Sequence, residues 1–244
     1  MKALILAAGV GSRLGPLTAA TPKALIAVAG VPMLERVLVR LQDAGADSFV
    51  VNAHHFAARV AEFCADLSRR RDVPIAVSRE DDALLDTGGG LKKASLLLRG
   101  RQPFFVHNAD ILTDLDLRAL YAAHLESGAL ATLAVGERDS SRAYLFDAKD
   151  RLVGHEDRSS GRTTWAKGAV TGARRLPFEG VHVISPPFLD RISESGAFSI
   201  TKTYLRLAAA GADIRGRLSA PHAWHDIGTP EKLAAAQAWA QASA

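Results

Sequence analysis

The stretch LILAAGVGSRLGPLTAATPKAL, residues 4–25, decides how the fold begins and which ligand it can hold. An apolar run that predicts a strand breaks into a glycine-rich loop. Gly9 and Gly11 carry no Cβ that would keep an anion away from the backbone N–H groups. The loop then carries two cations, Arg13 and Lys23. Arginine offers phosphate a planar fork and lysine a point charge, so the stretch predicts a phosphate-binding loop.

Two common phosphate-binding motifs do not match this loop. The dinucleotide fingerprint G-x-G-x-x-G requires a glycine where the chain has Leu14, and a helix directly after the loop. Pro16 and Pro22 argue against that helix, and no Gly-Lys-Ser/Thr of a Walker motif is present. The residues alone leave two interpretations open, a phosphate-binding loop of another kind and a flexible loop with two surface cations.

The composition narrows the class of protein. The 244 residues are 48% hydrophobic and 23% charged, with a formal net charge of +4. This mildly basic balance suits small anionic substrates, and the arginines at 69–71 predict a solvated helix end. Cys64 is the one cysteine, which excludes a disulfide framework. Because no apolar run reaches the ~18 residues of a membrane span, a cytoplasmic enzyme that binds neither nucleic acid nor membrane is expected.

The order of the patterns predicts an α/β protein. Strands are expected at residues 2–8, 48–53, 74–78, 103–107, 129–136, 143–146, 151–153 and 180–184. Helices are expected at residues 34–41, 92–98, 117–125, 200–210 and 230–242, with a polar loop at 156–172. Alternating strands and helices in the first half imply a mainly parallel sheet. We therefore expect a single domain, residues 1–244, with a nucleotide-binding half at 1–128 and a substrate-binding half at 129–244.

The glycine loop resembles the signature of the sugar-1-phosphate nucleotidyltransferases, G-x-G-x-R-(L/M)-x-P-L-T followed by P-K-P. In this chain the signature is GVGSRLGPLT at residues 9–18, and then TPKA at 21–24. Ala24 replaces the second proline. Three further stretches follow in the order of that family, namely TGGG at 87–90, NAD at 108–110 and WHDIGTP at 224–230.

The resemblance covers nearly the whole chain and is weak only between residues 137 and 178. It implies a three-layer, Rossmann-like mixed sheet, mainly parallel, of the nucleotide-diphospho-sugar transferase type. It also makes the second half of the chain, residues 129–244, the sugar-phosphate-binding half.

The resemblance assigns a role to each matching residue. Arg13 and Lys23 are implied as the catalytic cations, acting on the triphosphate and the sugar phosphate. The residues implied as nucleotide-binding are Ala8, Gly9, Gly11, Thr87, Gly88, Gly89 and Asn108. Asp110 and Asp226 are implied as ligands of Mg²⁺. Glu179 and Gly180, within FEGVHV at 178–183, are implied as sugar-binding.

The implied reaction joins an NTP to a sugar 1-phosphate and releases pyrophosphate. Because a sugar phosphate is already an anionic nucleophile, positioning and charge neutralisation are expected to do the chemistry. The stretches at 78–80 and 85–90 most resemble the N-acetylmuramate-1-phosphate uridylyltransferases of cell-wall synthesis. UTP with N-acetylmuramate 1-phosphate or a related hexose phosphate is therefore expected. Two alternatives stay open, a mannose- or heptose-1-phosphate guanylyltransferase and a non-catalytic nucleotide-sugar-binding regulatory subunit; the oligomeric state also stays open.

Overall fold

The computed structural model describes residues 1–243, so the last position of the expected domain lies outside the described residues. The strands are β1 (Lys2–Leu6), β2 (Ala27–Val28), β3 (Val31–Pro32), β4 (Ser48–Ala53), β5 (Ile75–Arg79), β6 (Phe104–Asn108), β7 (Ile111–Thr113), β8 (Ala131–Val135), β9 (Arg142–Phe146), β10 (Leu152–Asp157), β11 (Arg162–Trp165), β12 (Arg174–Leu176), β13 (Phe178–Ile184), β14 (Ile214–Leu218) and β15 (Trp224–Asp226). The helices are α1 (Pro16–Ala19), α2 (Met33–Asp43), α3 (Ala57–Arg71), α4 (Asp86–Leu98), α5 (Leu117–Ser127), α6 (Ile200–Ala209) and α7 (Pro230–Ala242). Within residues 1–243, no helix has both the length and the apolarity needed to cross a lipid bilayer.

The central sheet has seven strands in the order β14-β8-β13-β6-β1-β4-β5. Parallel pairs join β1 to β4 and β6, β4 to β5, and β8 to β14. Of these strands only β13 is antiparallel to its neighbours, β6 and β8. The expected sheet, mixed and mainly parallel, is confirmed.

Helices cover both faces of this sheet. Side chains alternate between the faces of a strand. Ala3 and Ile5 of β1 therefore pack in one apolar cluster with α2, α3 and α5. Leu4 packs in a second cluster with α4 and α6. This arrangement is the three-layer α/β fold that the sequence predicted.

A separate antiparallel sheet, in the order β11-β10-β9-β12, lies against α6. The sequence predicted a polar loop at residues 156–172, and part of that prediction is wrong. β10 continues to Asp157, which pairs with Arg162 of β11 in a hairpin. Both strands of this hairpin are mostly half-exposed, so the apolar alternation that marks a strand is absent from the sequence.

α4 begins earlier than predicted. A helix was expected to follow residues 87–90, but α4 starts at Asp86, so Gly88 and Gly89 lie in its first turn. A Cβ at Gly88 would lie 2.3 Å from the ring of Phe198, and one at Gly89 would lie 2.7 Å from the carbonyl oxygen of Gly196. The close approach of residues 196–198 to the helix therefore requires glycine at both positions.

A short helix also follows the glycine loop, contrary to expectation. α1 is a single turn, and Pro16 takes its first position. Proline is tolerated there because the N–H of that position has no partner within a helix.

We expect Gly88→Ala to lower the free energy of unfolding by about 1–3 kcal/mol, because overpacking against Phe198 outweighs the higher helix propensity of alanine. Urea unfolding measures this change. Gly100→Ala is the matched control, since its Cβ would meet only the Leu98 carbonyl oxygen at 3.9 Å. Equal stability of the two variants would contradict the packing role of Gly88.

Candidate active site

A cavity of about 600 Å³ opens at the carboxyl ends of β1, β4 and β6. Leu6 of β1 stands in register between Asn52 of β4 and Asn108 of β6, so the loops after the three strands meet at one edge. Open α/β sheets bind ligands at this edge. The predicted site residues that line the cavity are Ala8, Gly9, Gly11, Arg13, Lys23, Thr87, Asn108 and Asp110.

The two glycines of the loop, Gly9 and Gly11, have different roles beside this cavity. Gly11 has a φ of 71°, and a Cβ there would lie 2.9 Å from Thr18 and 3.2 Å from Lys23. The Thr18 hydroxyl donates a hydrogen bond to the Gly11 carbonyl oxygen at 3.0 Å. A Cβ at Gly9 would meet nothing within 4 Å. Gly11 thus fixes the turn, whereas Gly9 leaves the cavity side clear.

An ion pair joins the loop to the end of β6. Lys23 Nζ donates to the Asp110 carboxylate, and the side chains are 11% and 32% exposed, respectively. The Ile227 N–H donates to the Asp110 carbonyl oxygen at 3.1 Å, which brings the segment after β15 next to Asp110. Lys23 of the loop and Asp110 after β6 therefore meet at the cavity, next to the segment after β15.

Asp226 and Arg13 lie at the same edge. A Cβ at Gly228 would lie 2.7 Å from Asp226 Oδ1 and 2.9 Å from Arg13 Nη2, so both side chains border this glycine. Burial acts to raise the pKa of Asp226, but hydrogen bonds from Lys232 and the Gly228 N–H outweigh it and hold that pKa below its usual value. Asp226 is therefore a carboxylate at neutral pH.

The comparisons with known proteins agree with this geometry. The model of the nucleotidyl transferase family matches residues 2–146, more than half of the chain. The chain is 35% identical over 242 residues to N-acetylmuramate alpha-1-phosphate uridylyltransferase of Neisseria meningitidis serogroup B (strain ATCC BAA-335 / MC58), covering 99% of each. The chain belongs to the nucleotidyl transferase family. The family predicted from the sequence motifs is thereby confirmed.

One further relative and two solved structures are similar to the chain at lower identity. Identity to mannose-1-phosphate guanylyltransferase 1 of Arabidopsis thaliana is 28%, over 94% of this chain and 62% of that protein. Among solved structures, UDP-glucose pyrophosphorylase from Acinetobacter baumanii superposes with a TM-score of 0.77 at 16% identity, over 97% of this chain and 91% of that one. The inositol-1-phosphate CTP transferase of T. maritima gives a TM-score of 0.73 at 16% identity, over 95% and 90%. These structural likenesses show the fold alone.

Asp110 and Asp226 are the acidic residues of this site that could hold a metal ion, and each is paired with a lysine in the structure, Lys23 and Lys232 respectively. Asp110 and Asp226 offer the hard oxygen donors that Mg²⁺ prefers. Among the residues that the structure describes, no group of three or more His, Cys, Asp or Glu side chains could hold a metal ion. Two carboxylates fit an ion whose remaining ligands are phosphate oxygens and water, which is the usual arrangement for Mg²⁺ with nucleotides.

A buried polar network beside the cavity was missed by sequence reasoning. Asn52 accepts a hydrogen bond from the Ala7 N–H at 2.7 Å and donates one to Glu80 at 2.7 Å. Glu80 also accepts from the Leu85 N–H at 2.8 Å. The network therefore ties the glycine loop to the segment before α4. The only signal in the sequence was a polar residue at the end of an apolar strand.

Gly88 and Gly89 do not line the cavity, although the sequence implied that they bind the nucleotide. Both donate their N–H groups to the Phe198 carbonyl oxygen, at 2.9 and 3.2 Å. These N–H groups are therefore engaged within the fold. Their role at the nucleotide stays a prediction.

Glu179 and Gly180 lie behind Asn108, outside the nucleotide cavity. A Cβ at Gly180 would lie 3.1 Å from Asn108 Nδ2, and φ at this glycine is 79°. Glu179 is buried with Oε2 at 3.0 Å from His222 Nε2. Burial raises the pKa of Glu179, although His222 and Arg138 act to lower it. The assignment of both residues to the sugar also stays a prediction.

We expect Asn52→Ala to lower the free energy of unfolding by about 1–3 kcal/mol, because the Ala7 N–H and Glu80 lose a buried partner. Nucleotide affinity should fall as well, since the glycine loop loses its anchor. Urea unfolding and calorimetric titration with UTP test the two effects. Gln102→Ala, which removes an exposed amide, is the control and should change neither. Unaltered stability and affinity in Asn52→Ala would exclude an anchoring role.

Proposed function

We propose that the protein transfers the uridylyl group of UTP to N-acetylmuramate 1-phosphate, forming UDP-N-acetylmuramate and pyrophosphate. The observation that carries the reaction class is the convergence of Arg13, Lys23 and Asp110 on one cavity at the carboxyl ends of β1 and β6. The choice of substrates is supported by 35% identity to the Neisseria enzyme over 99% of both chains. A cytoplasmic location and a role in making cell-wall precursors belong to the same proposal.

The proposed reaction needs no general base. An oxygen of the sugar phosphate, already anionic at neutral pH, attacks the α-phosphorus of UTP. The bond from the α-phosphorus to the oxygen that bridges it to the β-phosphate breaks, and pyrophosphate leaves with that oxygen. The barrier lies in bringing two polyanions together and in stabilising the leaving group, so fixed positive charge is the main contribution that the protein can make.

Each cation has a place in this scheme. Lys23 would contact the α-phosphate or the incoming sugar phosphate, because its ammonium group sits at the cavity beside Asp110. Arg13 would contact the β- and γ-phosphates. Asp110 and Asp226 would hold Mg²⁺, which when bound supplies further positive charge to the phosphate oxygens.

Two other functions remain as alternatives. Guanylyl transfer to mannose or heptose 1-phosphate is favoured by the 28% identity to the Arabidopsis enzyme. A regulatory subunit without catalysis would have no need of metal ligands, and the retention of both Asp110 and Asp226 argues against it.

The substrate preference separates these functions. Pyrophosphate release would be measured for UTP, GTP, CTP, ATP and dTTP, each with N-acetylmuramate, mannose, glucose and heptose 1-phosphates. We expect UTP with N-acetylmuramate 1-phosphate to give the highest kcat/KM, because a site that pairs one base leaves buried polar groups unpaired with another. A preference for GTP with mannose or heptose 1-phosphate would support guanylyl transfer instead. Nucleotide binding without any release would support the regulatory subunit.

Lys23→Ala and Arg13→Ala should each lower turnover by roughly 10²–10³-fold, as the loss of one preorganised charge typically does. Folding should change little, because both residues lie on the loop at the rim of the cavity. Lys149→Ala, an exposed lysine in the turn between β9 and β10, is the control and should keep full turnover. Wild-type turnover in either loop variant would remove that residue from the mechanism.

A further inference from the structure

Arg138, between β8 and β9, forms no salt bridge with any carboxylate of residues 1–243. Its guanidinium stacks on the Trp224 indole, with Cζ at 3.9 Å from the ring centroid, and Nη2 donates to the Phe178 carbonyl oxygen at 2.7 Å. Its Nε is buried and has no hydrogen-bond acceptor among residues 1–243. The guanidinium is therefore held in a fixed plane, and not all of its N–H groups have an acceptor among residues 1–243.

Two acidic side chains, Glu179 and Asp226, lie near Arg138, and neither forms a salt bridge with it. Glu179 and Asp226 act on the pKa of Arg138, but burial opposes them and lowers it. Glu179 lies 3.0 Å from His222, and Asp226 is paired with Lys232. Arginine stays protonated at any pH at which the protein is folded, so a positive charge without a paired anion remains at this position.

A cavity of about 200 Å³ lies beside Arg138. Tyr144, Phe178 and Thr201 line it with Arg138, and the hydroxyls of Tyr144 and Thr201 are hydrogen-bonded at 2.8 Å. The volume suits a short substituent of a sugar and is a third of that of the nucleotide cavity. The other residues that line it are Ser140, Arg142, Ala143 and His155. Arg142 is paired with Asp157, so of the two lining arginines only Arg138 lacks a salt bridge among residues 1–243.

Residues next to the small cavity contact residues of the nucleotide cavity at two places. Thr201 follows Ile200, whose N–H donates to the Thr87 hydroxyl at 3.0 Å, and Thr87 lines the nucleotide cavity. On the other side, Phe178 precedes Gly180 by two residues, and Gly180 packs against Asn108. A sugar phosphate whose phosphate lies near Asn108 would therefore extend towards this cavity.

We propose that Arg138 binds the carboxylate of the lactyl ether of N-acetylmuramate 1-phosphate and selects this acidic sugar over neutral N-acetylglucosamine 1-phosphate. The inference rests on the proposed function. The two sugars differ by the lactyl group alone, which adds one carboxylate. A guanidinium presents parallel N–H donors that match the two oxygens of a carboxylate, and a stacked, desolvated arginine strengthens such a contact. One carboxylate would thus fill the role that no acidic side chain fills at Arg138.

The test compares two acceptors and two variants. The kcat/KM values with UTP are measured for N-acetylmuramate 1-phosphate and for N-acetylglucosamine 1-phosphate, in the wild type, Arg138→Gln and Arg138→Lys. We expect Arg138→Gln to lower kcat/KM for the acidic sugar by roughly 10–10²-fold, mainly through KM, because one charged hydrogen-bonded contact is lost. The value for the neutral sugar should stay the same. Arg138→Lys keeps the charge but not the parallel N–H donors. Its kcat/KM for the acidic sugar should lie between the values of the wild type and of Arg138→Gln.

Controls separate recognition from structure. Arg174→Gln removes an arginine of β12 that is paired with Asp150, and it should leave the ratio of the two acceptors unchanged. UTP affinity, measured by calorimetry, reports whether each variant is folded. Equal losses with both acceptors in Arg138→Gln, or no loss with either, would overturn the role of Arg138. A wild type that does not use N-acetylmuramate 1-phosphate would overturn the proposed function itself, and the assignment of Arg138 with it.

Discussion

The parallel pairing of β1 with both β4 and β6 is the constraint on which the rest of the site depends. Leu6 is in register with Asn52 on one side and with Asn108 on the other. The Ala109 N–H donates to the Leu6 carbonyl oxygen, and the Ala7 N–H donates to Asn52, so the chain leaves all three strands at one level. A slip of one residue would turn every side chain of a strand to the opposite face. The positions of the glycine loop and of Asp110 thus follow from the register of buried apolar strands.

The strand register also determines where the charged side chains of the site lie. The Lys23–Asp110 pair is partly buried and lies at the cavity, so its effect is not confined to the stability of the fold. Its more direct effect is to hold a lysine at the cavity before any phosphate arrives. Charges that are fixed in advance need no reorganisation when charge develops on the leaving group, and this is where preorganised sites gain most. Arg13 lies beside Gly228 and Asp226 at the same edge.

What the sequence predicted well was local. Each of these features is visible within a stretch of about twenty residues. They are the apolar run of β1, the spacing of apolar residues in α2, and the glycine loop with the lysine that follows it. What it did not predict depends on distant contacts. The Asn52–Glu80 bond joins residues 28 positions apart, and the glycines at 88 and 89 are explained by residues 196–198. The β10–β11 hairpin was missed because its side chains are half-exposed and follow no apolar pattern.

The one antiparallel strand of the central sheet links the two halves of the chain. β13 lies between β6 and β8, and its pairing with β8 shifts register between Phe178 and His182. Such bulges redirect side chains and are common next to active sites. Here the irregularity contains Gly180, which packs on Asn108 and leaves Phe178 and Arg138 beside the small cavity. Because Asn108 also lines the nucleotide cavity, the bulge joins the antiparallel part of the sheet to the parallel core of β1, β4 and β6 at the site itself.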